Sequence, residues 1–321
     1  MKKIREMKRV LIAVILIIFT LQFANAQQAF VVIDANDTGL MYQGAGAISA
    51  SSTRLLYDYP EPERSQILDY VFTPAYGGAM QLLKVEIGDD VISTCVAEPS
   101  HMRVEGVVER DLGFEWWLME EAKKRNPDIK LLGLAWGAPG WVGETFWTDK
   151  TIDYLLSWLD IAHDRGLVID YIGGWNEKEW DANWFIKFGT QLKKRFPHTK
   201  LIAADAINKS WSIGMEMLNN RELCEVVDVV GDHFSCGWRS EYKSCATPEE
   251  IRKLPQPLWN AEHSSMCHDV GAIPLARAMN RLYLQAGIVA TMSWSLVSAW
   301  YSSLPIADTG ILLAEWPWSG Y

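Results

Sequence analysis

Short runs of consecutive apolar residues punctuate the chain, and between them lie longer stretches whose apolar positions recur every three to four residues. The runs "LLKVEIG" (82–88), "LLGLAWG" (131–137), "YIGGWNE" (171–177), "LIAADA" (201–206), "VVDVVGDHF" (226–234), "LWNAEH" (258–263) and "IVATMSWSLV" (288–297) suit strands buried on both faces. With "YQGAGAIS" (42–49) at the start they number eight. The stretches "FEWWLMEEAKKR" (114–125), "NWFIKFGTQLKKRF" (183–196) and "PLARAMNRLYLQAG" (274–287) have helical periodicity. The first two end in basic residues, which suits the helix dipole, and the third ends at Gly287, a common helix stop.

Eight strands alternating with helices predict an α/β fold with a parallel sheet, and the number eight favours a closed (β/α)8 TIM barrel. A doubly wound open sheet is the alternative, but no nucleotide fingerprint supports it. "GAGAIS" has Gly44 and Gly46, yet Ser49 stands at the third glycine position. The segment "QAFVVIDAND" (28–37) also reads as a strand and has no place among the eight, and "EWPWSGY" (315–321) leaves little chain for a closing helix.

Composition sharpens this picture. The chain has 321 residues, 49% of them hydrophobic, enough for one large domain with a sizeable core. Sixteen tryptophans are a high number; some fill the core, and exposed ones stack on sugar rings. The N-terminus carries Lys2, Lys3, Arg5, Lys8 and Arg9, then the apolar run 10–23, then "ANA" (24–26). This is the layout of a secretory signal peptide, residues 1–26. The apolar run is short of the about 20 residues a membrane span needs; an uncleaved anchor is the other reading. Cleavage after Ala26 removes five basic residues and Glu6, taking the net charge from −10 to −14. So acidic a protein repels phosphate, which argues against nucleic acid as a partner. Export, to the exterior or a periplasm, permits disulfides. Cys236 and Cys245 can close a short loop, and five cysteines leave at least one without a partner in the chain.

Two segments carry the candidate chemistry. "DYIGGWNEKEW" (170–180) places Trp175, Asn176 and Glu177 at the end of the fourth strand, and "LPQPLWNAEHSS" (254–265) places Glu262 at the end of the seventh. Active sites of (β/α)8 barrels form at the carboxyl ends of the strands, so both glutamates belong on one face. Two carboxyl groups at one mouth are the equipment of glycoside hydrolysis, one as acid/base and one as nucleophile or base. The Asn176 amide can bond a sugar hydroxyl beside the reacting carbon. A glutamate at a strand end is alternatively a solvated loop charge, and Glu177 can pair with Lys178.

The chain resembles glycoside hydrolase family 59, the galactocerebrosidases. The resemblance lies in "YPEPERSQILDYVF" (59–72), "LLKVEIG", "AEPSHM" (97–102), "EWWLMEEAKKRNP" (115–127), "DYIGGWNE", "VVDVVGDHF" and "EWPWSGY". It implies a secreted retaining β-glycosidase that cleaves terminal β-galactosides, free or lipid-linked as in sphingolipids, without a cofactor. Glu177 is then the acid/base and Glu262 the nucleophile, with Thr94 and Trp136 as further galactose contacts. The family follows its barrel with a β-sandwich that supplies an arginine to the pocket and borrows an N-terminal strand. "QAFVVIDAND" matches that strand, and the chain stops before a sandwich, so the resemblance implies a C-terminally truncated member; the lysine-rich leader ending in "ANAQQ" looks bacterial. Another β-glycoside, a glucoside or xyloside, is an alternative substrate, and a non-catalytic sugar-binding fragment an alternative role.

Other signals are weaker. Trp294, at the eighth strand, is either a stacking floor for the sugar or a core aromatic. His233 ends the sixth strand and bonds either near the nucleophile or to a loop carbonyl. His263, Cys267 and His268 fit no standard zinc spacing, and no metal site is expected. There is no G-x-S-x-G elbow, phosphate loop or H-E-x-x-H.

Overall fold

The computed structural model describes residues 34–36, 38–50, 53–92, 96–207, 211–237, 245–264, 268–299 and 310–314. The chain divides into a short N-terminal unit, Met1–Gly39, and a barrel unit, Leu40–Tyr321. The leader 1–26, most of the strand expected over 28–37, Thr94 and the terminal "EWPWSGY" lie outside the described residues.

Eight parallel strands close the barrel in sequence order. They are β1 (Gly44–Ser49), β2 (Leu82–Ile87), β3 (Lys130–Ala135), β4 (Tyr171–Trp175), β5 (Lys200–Ile207), β6 (Val229–His233), β7 (Leu258–Ser264) and β8 (Ile288–Trp294). Each coincides with one of the eight apolar runs, with β3, β5 and β7 extending one residue beyond theirs. The ring closes where β1 pairs with β2 (Gly46 opposite Leu82) and with β8 (Gly46 opposite Met292). Gly46 is required there: a Cβ would stand 2.1 Å from the Leu82 carbonyl oxygen. Ile48, Leu132, Ile202, Trp259 and Met292 are buried in one apolar cluster, while a larger cluster fills the layer between sheet and helices.

The helices are α1 (Thr53–Tyr57), α2 (Glu63–Phe72), α3 (Glu115–Arg125), α4 (Asp149–Asp164), α5 (Ala182–Arg195), α6 (Ser212–Met217), α7 (Arg221–Val226) and α8 (His268–Arg281). Helices α3 and α5 occupy the expected stretches within one residue. Helix α5 starts where the Asp181 carboxylate accepts the Trp184 N–H, 2.8 Å. Helix α8 begins six residues earlier than its periodicity predicts and continues as a π-helical turn, Leu282–Ala286, ending at left-handed Gly287 (φ 72°). The longest helix among the described residues, α4, lies outside the three stretches expected to be helical. It buries nine of its sixteen residues, Tyr154 and Trp158 among them. Beyond β8, the short strands β9 (Val297–Ala299) and β10 (Leu312–Ala314) pair in parallel.

Candidate active site

The "IGGW" of β4 explains itself in the barrel interior. A Cβ on Gly173 would lie 2.5 Å from Leu134 Cδ1 and 3.0 Å from Asp205 Oδ2, so only glycine leaves room for that carboxylate. The strand then turns outward. Asn176 N–H donates to the Ala135 carbonyl and Glu177 N–H to the Asp205 carbonyl, each 2.9 Å. Glu177 itself adopts φ 56°, a left-handed conformation unusual for a residue with a side chain. Asp205 (φ 54°) and Phe234 (φ 51°) at the neighbouring strand ends do the same. Lys178 does not pair with Glu177; its Nζ lies over the Trp175 ring, 5.6 Å from the centroid.

Glu262 lies in β7 with its side chain only 7% exposed, against 31% for Glu177. His233, the last residue of β6, stands between them with a fully buried side chain. Its Nδ1 is 3.2 Å from Glu177 Oε1 and 3.7 Å from Glu262 Oε2. One oxygen of each glutamate and a ring nitrogen of His233 lie within 4.8 Å of one another. The structure thus brings together the two glutamates predicted from the strand ends, and gives His233 the place beside the seventh-strand carboxylate rather than a loop carbonyl.

Behind His233 is a chain of charges. Its Nε2 is 3.3 Å from Asp205 Oδ1, and that oxygen accepts from Lys84 Nζ at 2.5 Å. Lys84 also donates to the Ala261 carbonyl, 2.9 Å, one residue before Glu262. Lys84 and Asp205 are both buried. Burial disfavours ionised Asp205, but the Lys84 charge and the His233 contact outweigh it and hold its carboxyl below the usual range. Burial likewise opposes the imidazolium, yet the Glu262 charge and the bonds to Asp205 and Glu177 raise His233 to about 9. Desolvation pushes Glu262 up to about 7, against the pull of His233 and Lys84.

Two indoles stand at the mouth. Trp136 follows β3 and Trp294 ends β8; both are partly exposed, with ring centroids 6.2 Å apart and planes tilted by 38°. Trp175 Nε1–H fixes the Trp136 backbone by donating to its carbonyl, 2.8 Å. Asn176 is buried, and its Oδ1 has no hydrogen-bond partner among the described residues. A buried amide oxygen left open on the residue before Glu177 is suited to a ligand hydroxyl.

Residues 42–321 match the sequence profile of Glycosyl hydrolase family 59. The chain belongs to that family. It is 40% identical over 306 residues to the galactocerebrosidase of Homo sapiens, and 40% over 304 residues to that of Mus musculus. It is 30% identical over 279 residues to a putative galactocerebrosidase of Caenorhabditis elegans. These alignments take in 91%, 91% and 84% of this chain but 43%, 43% and 41% of the relatives, so the chain spans less than half of their length. Among solved structures, an endo-β1,6-glucanase superposes with a TM-score of 0.70 at 15% identity, covering 88% of this chain and 73% of its own. The catalytic domain of a family 30 xylanase C from Talaromyces cellulolyticus gives 0.63 at 15%, covering 83% and 71%. At such identities these two show the shared barrel fold.

Sequence reasoning missed several polar residues of this family 59 barrel. Lys84 and Glu86 interrupt an apolar strand, and Asp205 closes another; a charge inside an otherwise apolar run is the signal that could have marked them. Glu98 and Glu115 form a second buried acidic group. The Glu98 carboxyl accepts the Glu115 N–H, 3.1 Å, at the start of α3, and Ser49 Oγ–H donates to Glu115 Oε1, 2.8 Å. Desolvation raises Glu98 to about 8 and lifts Glu115 well above the carboxylate range.

Proposed function

We propose that this protein is a retaining β-glycosidase that hydrolyses terminal β-galactosides, including lipid-linked ones. The observation that carries the mechanism is the separation of the two carboxyl groups. Oxygens of Glu177 and Glu262 lie within 4.8 Å of each other, close to the about 5–5.5 Å used for double displacement and short of the roughly 6.5–9.5 Å that inversion needs for an intervening water. In this reading Glu262 Oε attacks the anomeric carbon while Glu177 transfers its proton to the departing oxygen. Glu177, now a carboxylate, takes a proton from water, and the resulting hydroxide equivalent cleaves the glycosyl ester and regenerates Glu262. The unequal exposure of the two groups supports this assignment: the buried carboxylate faces the ring, and the more open one reaches leaving group and solvent. The Trp136 and Trp294 rings offer apolar faces to a sugar.

Galactose as the sugar, and a glycolipid as the natural substrate, are supported by the relatives named galactocerebrosidase. Export is supported by the leader pattern and by the Cys236–Cys245 disulfide, since such bonds persist in oxidising compartments. The test is hydrolysis of aryl β-galactoside, β-glucoside and β-xyloside by the full chain, with the product anomer read by NMR. Preferential release of β-galactose with retained configuration is expected. An inverted first product would end the double-displacement mechanism, and preference for another glycoside would replace the sugar.

A further inference from the structure

We infer that Lys84, Asp205 and His233 form a charge-balancing assembly that places one fixed cation between Glu177 and Glu262, so that it pairs with whichever glutamate is ionised at each stage of turnover. The inference rests on the double-displacement reading above and adds to it the task of three residues that make no bond to the sugar in that mechanism.

Double displacement moves a single negative charge. Before the first step Glu262 is ionised and Glu177 carries a proton. After it, Glu262 is an uncharged ester and Glu177 is ionised; the second step reverses both changes. The two carboxyl groups therefore share one negative charge in the free enzyme and one in the intermediate, but its location alternates. His233 Nδ1 is placed for both locations, 3.2 Å from Glu177 Oε1 and 3.7 Å from Glu262 Oε2. The ring plane fixes the N–H direction toward Glu177, while the positive charge of the ring also reaches Glu262 at 3.7 Å, so one stationary cation serves either ionised carboxylate.

The rest of the assembly keeps the imidazole charged and still. Asp205 Oδ1 holds Nε2 from behind at 3.3 Å, so both ring nitrogens face carboxyl groups, and the doubly protonated ring can donate to both sides. Lys84 in turn neutralises Asp205 at 2.5 Å. Without Lys84, two negative charges would face one cation in a water-poor interior; with it, Lys84, His233, Asp205 and the shared charge of the glutamates sum to zero in both stages. Net neutrality matters because unpaired charge in the barrel is costly at low dielectric. Of the other titratable groups nearby, Asp232 bears on His233 most directly: it is ionised above about pH 6 and feels the His233 charge, so it stands outside the four-group sum. Asp232, its neighbour in β6, is raised to about 6 by burial and accepts from Ser235 Oγ–H; His263 in β7 is pushed down to about 4 by burial and is uncharged; Glu86 in β2 is buried near Glu115.

The experiment compares Lys84→Met, Asp205→Asn and the double variant by the pH dependence of kcat/KM on an aryl β-galactoside. Histidine-labelled protein is titrated by NMR in parallel without substrate, with His233→Gln used to assign the signal. Lys84→Met leaves surplus negative charge. It should raise the acid limb by about one pH unit or more and hold His233 protonated to higher pH. Asp205→Asn leaves surplus positive charge and should lower the basic limb and the His233 titration. The double variant restores neutrality, so both limbs should return toward wild type although kcat stays reduced. A merely structural role predicts unmoved limbs in the single variants, or a double variant that sums their losses; either result overturns the inference. A measurement on wild type guards against misfolded variants. Once a fluorosugar has esterified Glu262, His233 should remain doubly protonated with a shifted Nδ1–H resonance, and loss of that proton overturns the inference. Absence of any aryl β-glycoside hydrolysis by wild type would instead refute the glycosidase reading, and with it the alternating charge; the histidine titrations of the single variants would then decide the charge assembly alone.

Discussion

Lys84 Nζ on the second strand and Asp205 Oδ1 on the fifth lie 2.5 Å apart inside the barrel, both buried and 121 residues apart in the chain. A buried ion pair gives weak net stabilisation, because desolvation cancels most of the attraction. Its position is more telling than its energy. It adjoins the carbonyl before Glu262 and the imidazole that separates the two glutamates, so the polar centre of the barrel is organised around the candidate site.

The roles of the two glutamates are separable by leaving group. Glu177→Gln is expected to slow glycosides with poor leaving groups by about 10²–10⁴-fold while aryl glycosides with acidic phenols lose little in the first step. Glu262→Gln should prevent accumulation of a fluorosugar ester on the protein, read by intact mass. Equal sensitivity of both variants to leaving-group pKa would reverse or cancel the assignment.

Acid should inactivate the enzyme earlier than an ordinary carboxylate would suggest. Glu262 must be ionised to attack, and burial raises it to about 7. Below that value the nucleophile holds a proton, so kcat/KM is expected to fall about tenfold per pH unit as pH drops through 7. An acid limb near the unperturbed value of 4.5 would show that Glu262 is better compensated in solution than its burial implies.

Alkaline pH should weaken the fold through Glu98. Its carboxyl is raised from 4.5 to about 8 in the folded chain, chiefly by desolvation. The folded state therefore binds this proton more tightly than the unfolded one. The stabilisation is complete below about 4.5 and is lost as pH rises through about 8. Glu98→Gln keeps an acceptor for the Glu115 N–H and cannot ionise. It should melt higher than wild type at pH 9 and show a flatter dependence of Tm on pH; a variant that melts lower than wild type at pH 9 contradicts this.

Reduction should cost stability with little effect on the glutamates. The Cys236–Cys245 bond closes a loop with a sequence separation of nine, for which chain entropy gives about 2–3 kcal/mol. Cys236→Ala with Cys245→Ala is expected to lower Tm by several degrees, while the pH limbs stay in place. An unchanged Tm would mean that the loop is already restricted in the unfolded chain.

The sequence by itself determined the barrel and the two carboxylates. Strands buried on both faces must be apolar throughout, so all eight announce themselves as short runs, and a glutamate that follows such a run is carried to the strand's carboxyl end wherever that strand goes. "YIGGWNE" and "LWNAEH" were legible for that reason. Helix α4, "DKTIDYLLSWLDIAHD", carries the same helical periodicity in its nine buried positions and is legible in the sequence on that ground. What only the tertiary structure decided is which charges meet. Lys84, Asp205 and His233 come from strands β2, β5 and β6, and nothing local links them. Closing the barrel brings their side chains to a common axis, where low dielectric makes each charge depend on the next. The separation of Glu177 and Glu262 belongs to the same category: strand order fixes the face they share, but the left-handed turn at Glu177 and the burial of Glu262 set the distance between their oxygens.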